Sequence, residues 1–164
     1  MPHPDHHQLR AVRQSPALSI GALAQLRADH RAMRHLFNAL RRARSDGEQQ
    51  ALVADICALL SMHVQIRAEI FDSAWKVASL GASCLAGPGA ARDDIWGLIA
   101  QLEQGAPAGA QYDDKVALLC AYVVQQCKAE CAAMQVWAQS PPLDLVALGA
   151  RMHARRRGLL RSLA

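Results

Sequence analysis

Apolar residues recur at alternating intervals of three and four along four long stretches of this chain, and glycine or proline closes each stretch. The first carries Leu23, Leu26, His30, Met33, Phe37 and Leu40, has Ser19 as a candidate N-cap, and breaks at "RSDGE" (44–48). The second runs from about Glu48 to Leu80 through Leu52, Ile56, Leu59, His63, Ile66 or Arg67, Ile70 and Ala74, and ends in "LGASCLAGPGA" (80–90). The third holds Arg92, Ile95, Ile99 and Leu102 and is closed by "QGAPAGAQ" (104–111). The fourth holds Val116, Leu119, Val123, Gln126, Glu130, Ala133 and Trp137, and stops at "SPPLD" (140–144), where two prolines forbid continuation. A shorter fifth segment, "LDLVALGARMHARRRGLLRSL" (143–163), follows.

That repeat is a helix's, and no strand signal of comparable length competes with it. Composition agrees: the chain is 52% hydrophobic with two Phe and two Tyr, and Ala and Leu enter helices at little cost while strands want β-branched and aromatic residues. Long amphipathic helices joined by short connections lie side by side and antiparallel. The expectation is an all-α protein, an up-down-up-down four-helix bundle with a short C-terminal helical extension. Residues 19–164 form this one domain, and 1–18 a flexible N-terminal tail, where Pro2 and Pro4 remove backbone donors near His3, His6 and His7.

The tail has no signal-peptide pattern, and no run of about 20 uncharged apolar residues suggests a membrane span. The five cysteines, Cys57, Cys84, Cys120, Cys127 and Cys131, are an odd number without a disulfide framework, so reduced thiols in a cytoplasmic protein are expected. The net charge of +4 owes much to Arg151, Arg155, Arg156, Arg157 and Arg161. No aromatic residues interleave with that run, so it reads as a solvated helix end and not as a nucleic-acid surface. No nucleophile–base pair or phosphate loop is visible, and no enzymatic activity is expected.

Six polar residues interrupt the apolar seams: His30, His63, Arg67, Arg92, Gln126 and Glu130. Four residues rise about 6 Å along a helix and return nearly to the same face, so His63 stacks with Arg67, and Gln126 with Glu130. All four helices feed this layer. Unpaired buried polar groups are costly, so a layer of this kind is a site or the remains of one. Plainer readings exist for each member: core histidines satisfied by neighbours, and arginines that bend their stems and place their heads in solvent. Cys120, Cys127 and Cys131 share a stripe that could hold a soft metal but reads as packing, and Trp75, Trp96 and Trp137 read as covers for the helix ends or the fifth helix.

On these residues the chain resembles a hemerythrin-like (HHE cation-binding) domain. "LRADHRAMRHLF" (26–37), with Asp29–His30, is similar to that family's opening helix. "LSMHVQIRAEIFDSAW" (60–75) resembles its second, and "DDIWGLIAQLEQ" (93–104) and "YDDKVALLCAYVVQQCKAECAAMQVW" (112–137) its third and fourth. The resemblance implies a pair of irons held between helices by histidines and bridging carboxylates, for oxygen binding or sensing or for iron handling. Carried over by position, His30 and His63 stand at ligand histidines and Glu130 at a ligand carboxylate. Arg67 stands where a bridging Glu belongs, and Arg92 and Gln126 where two His belong.

A guanidinium cannot deprotonate or donate a lone pair to a metal, and it brings a permanent charge to the room two cations would need. The main expectation is therefore a metal-free, non-enzymatic helical module with no cofactor, which binds a partner protein, another copy of itself or a small ligand. In it Arg67 and Arg92 would flank Glu130. Two arginines and one glutamate leave a surplus positive charge, to be relieved by one arginine reaching solvent or by a small anion in the core. The alternative keeps a reduced iron site, mononuclear or a partial pair, at His30, His63 and Glu130.

Overall fold

The structure is a computed structural model that describes residues 21–78, 90–105, 109–139 and 143–162, with side chains in the third helix from Asp94 onward. Ser19, the segment 1–18, Cys84 and most of the stretch 80–90 lie outside the described residues. Among the described residues there are five helices and no strand: α1 (Ala22–Leu40), α2 (Asp46–Ala78), α3 (Ala90–Gln104), α4 (Ala110–Ala138) and α5 (Leu145–Ser162).

Local chemistry fixes the helix starts. The Ser45 side chain accepts from the backbone N–H of Glu48 at 3.2 Å, and Glu48 accepts from the N–H of Arg44 at 2.9 Å. This reciprocal arrangement satisfies donors that the first turn of α2 would otherwise leave open. Asp144 does the same for α5, accepting from Ala147 N–H at 2.9 Å. Gly21, which precedes α1, has φ 105°, a conformation side chains resist.

Two apolar clusters fill the interior. The first joins Met33 and Leu36 of α1 to Ile56, Leu59 and Leu60 of α2, Ile95 and Ile99 of α3, and Leu119 and Val123 of α4. The second joins Leu23 and Leu26 of α1 to Ile66 and Phe71 of α2, Trp137 of α4, and Leu148 and Met152 of α5. Helix α5 thus takes at one end the place α3 holds at the other. Progress from cluster to cluster gives the chain sense: α1 runs from the second to the first, while α2 and α4 run from the first to the second. Trp137 is fully buried against Phe71 (ring centroids 4.5 Å apart) and near Trp75 (6.4 Å), so these two tryptophans serve the end that α5 covers. Trp96 remains partly exposed on α3.

Helix α2 departs from α-geometry over Arg67–Asp72, where it widens into π-helical turns. The hydroxyl of Ser73 donates to the carbonyl of Ala68 there, five residues back. Such turns recur where a helix must re-aim side chains. Helix α2 is also the one helix among the described residues long and apolar enough to cross a membrane, with a window of mean hydropathy 1.4. That window is 56% buried inside the protein, as a core helix requires. Asp55 and Arg67 interrupt any long uncharged run in α2, while its average hydropathy stays high.

Candidate functional site

Along α1, α2 and α4 the polar positions fall at the changeover between the two clusters. Six residues of the layer are buried: Asp29, His30, His63, Arg67, Glu130 and, from α5, Arg156. Asp72, also buried, adjoins them.

Glu130 is the hub, with no solvent exposure. Its Oε2 accepts from His30 Nε2 at 2.7 Å and from His63 Nε2 at 3.0 Å. Its Oε1 accepts from the Gln126 amide at 2.9 Å and lies 3.3 Å from Nε of Arg67. The Gln126–Glu130 contact is the four-residue helical step, and the other partners arrive from α1 and α2. Burial alone would raise the Glu130 carboxyl. The surrounding His63, His30 and Arg67 outweigh it and hold the group well below the usual carboxylate range.

His63 stands between two carboxylates. Nε2 meets Glu130, and Nδ1 donates to Asp29 Oδ2 at 3.0 Å. An ionised carboxylate can only accept, so both ring nitrogens must carry hydrogen and the ring is an imidazolium. Burial opposes that charge, but Glu130 and Asp29 overcome it and push the group up to about 9. Asp29 is held low in turn: burial would raise it, and His63 and Arg156 outweigh burial. One Arg156 nitrogen, Nη2, reaches both Asp29 oxygens at 2.8 and 2.7 Å. Arg67 spans the layer, with Nη2 3.7 Å from Asp72 Oδ2. Residues five apart meet in this way because the π-helical turns bring i and i+5 toward one face.

Formal charges therefore close within the protein. Asp29, Asp72 and Glu130 face Arg67, Arg156 and the His63 imidazolium, three negatives against three positives. Asp29 and Asp72 thus add counter-charge beside Glu130, while the side chain of Arg92 lies outside the described residues.

The structure brings together His30, His63, Arg67, Gln126 and Glu130. Arg92 lies in the first turn of α3, and its side chain is outside the described residues. Sequence reasoning missed Arg156, which it assigned to a solvated run, and it gave no charge role to Asp29 or Asp72. Arg156 had a signal, because it extends the spacing Leu145, Leu148, Gly149, Met152 into the interior. Asp72 had none, since its contact depends on the π-helical turns.

Ligand-capable atoms of His30, His63 and Glu130 lie within 4.8 Å of one another and form the one such group among the described residues. Their donor types suit a transition metal, and the charges around them oppose one. A dication would have to displace the His63 proton from a group raised to about 9 and enter a layer already neutral, beside the permanent charge of Arg67. The three residues could hold a metal ion, at the cost of the His63 proton and of a second positive charge beside Arg67. Comparisons with protein-family models, with curated proteins and with solved structures found no match.

Proposed function

We propose that this chain is a hemerythrin-like up-down-up-down four-helix bundle in which protein charges have taken over the room of a di-iron centre. It acts without metal, cofactor or catalysis, as a cytoplasmic helical module that binds a partner protein or small ligand. The observation that carries this reading is the Arg67 guanidinium 3.3 Å from the Glu130 carboxylate, inside a layer whose charges already balance. A buried carboxylate stripped of its cations would be strongly destabilising, and the arginine supplies a permanent counter-ion. The opposite senses of α1 and α2, and the shared sense of α2 and α4, support the topology. With the interior committed to its own charges, binding falls to the exterior of the bundle.

The test is elemental analysis of protein purified after iron supplementation, paired with thermal unfolding with and without ferrous iron. Substoichiometric metal and an unchanged midpoint are expected. One or two irons per chain, with iron-dependent stabilisation, would overturn the proposal and favour iron or oxygen handling at His30, His63 and Glu130.

A further inference from the structure

Helix α1 turns Arg27, Arg31 and Arg34 to solvent, as the outer face of a bundle helix should. Helix α4 differs. Its side opposite buried Val116, Leu119 and Val123 carries Asp114, Ala117, Leu118, Ala121, Val124 and Lys128, every one exposed. Alternating steps of three and four hold these residues on one side through about 21 Å of helix. Between the two charges, Gln125 is the one polar residue on that side. Leu118 is 60% exposed and Val124 52%. Large apolar residues scattered singly are ordinary on a surface, but here two share one uncharged stretch of a single face.

We propose that this face of α4 is the contact of a two-fold symmetric dimer, in which α4 of a second copy lies antiparallel across it. Charge selects this occupant. With the axis at Ala121, positions equally far before and after it meet across the contact. Asp114 and Lys128 each lie seven residues from Ala121, so each chain's Asp114 faces the other's Lys128 at both ends. Leu118 and Val124, three residues to either side, face each other in the same way. The small side chain of Ala121 lets the two helices approach closely where they cross.

Other alignments of the same two faces bring like charges together. A parallel pair opposes Asp114 to Asp114 and Lys128 to Lys128. An antiparallel pair shifted to match Leu118 with exposed Val136 has its axis at Cys127, and it crowds the two Lys128 side chains together. The axis at Ala121 avoids both penalties. A two-fold contact uses each face once, so assembly closes at two chains.

The inference deepens the binding-module reading by naming the partner, and it rests on that reading's placing of binding on the exterior. The experiment is sedimentation equilibrium of the full chain from about 1 to 100 µM, a range that brackets a modest surface contact. Iron is measured in the same samples. The mass should rise with concentration from one chain to two, and no further. Asp114→Lys should weaken the dimer about tenfold, because two attractive pairs become repulsive. Adding Lys128→Asp to that variant should restore the affinity to within about threefold. Leu118→Glu should abolish association. All three positions are exposed, so the variants fold as the unaltered chain does. A single-chain mass throughout, in iron-free protein, overturns the dimer and leaves the metal-free reading standing. Assembly beyond two chains, or a dimer indifferent to Asp114→Lys or not restored by the double exchange, also overturns it. Iron in the chain overturns the metal-free reading, and the mass still decides the dimer.

Discussion

The first apolar cluster and the polar layer beside it are both buried, but they hold the helices together by different physics. In the cluster around Ile56, Leu59 and Leu119, contacts are non-directional and many, so one side chain of similar volume can replace another. In the layer each group has assigned partners: Glu130 answers to His30, His63, Arg67 and Gln126, and Asp29 to His63 and Arg156. Dispersion and hydrophobic burial degrade gradually. A closed charge network fails when one member leaves, because the remaining ions stay buried without a counter-ion.

The sharpest test sets Glu130→Gln against Leu119→Met. The first nearly preserves shape but removes the hub charge, and should lower unfolding free energy by about 3–5 kcal/mol in urea titrations. The second preserves volume and should cost less than about 1.5 kcal/mol. Similar losses would erase the distinction between the two regions.

A pH titration of stability probes the network without mutation. His63 rises from the ordinary imidazole value of 6.5 to about 9 on folding, so folding takes up a proton between these values. Its contribution, about 3 kcal/mol, should be fully present below pH 6.5 and disappear as pH rises through about 9. Asp29 and Glu130 are held low, so their contribution is lost in the opposite direction, as pH falls through and below the usual carboxylate range. Stability should peak between these limits. A curve flat from pH 6 to pH 10 would show that His63 carries no charge in the fold.

The junction of α5 with α1 should show an intermediate effect. A Cβ at Gly149 would lie 2.6 Å from the backbone carbon of Gly21, so Gly149→Ala must push the helices apart. A loss of about 1–3 kcal/mol is expected from denaturant unfolding. The smallest effect belongs to the exposed pair Arg155–Glu69, bidentate at 2.7 and 3.0 Å but open to screening. Arg155→Ala should leave the unfolding midpoint unchanged within error.

The all-helical class was legible because the apolar spacing persists through every segment and breaks at Gly and Pro. The layer was legible where a polar residue interrupts a seam, as at His30, His63, Arg67, Gln126 and Glu130. Arg156 escaped because four other arginines surround it in sequence, and their shared charge concealed its inward spacing. Asp72 escaped for a deeper reason: standard helix arithmetic does not bring residues five apart together, and the π-helical turns that do so are a tertiary outcome.

Helix α5 delivers Arg156 to Asp29, and Gln25 of α1 donates to the carbonyl of Gly149 in return. Translation runs in one direction, so α5 leaves the ribosome after α1, α2 and α4. Until then Asp29 lacks the guanidinium that pairs with it in the fold. Closure of the buried charge network is therefore tied to the docking of α5.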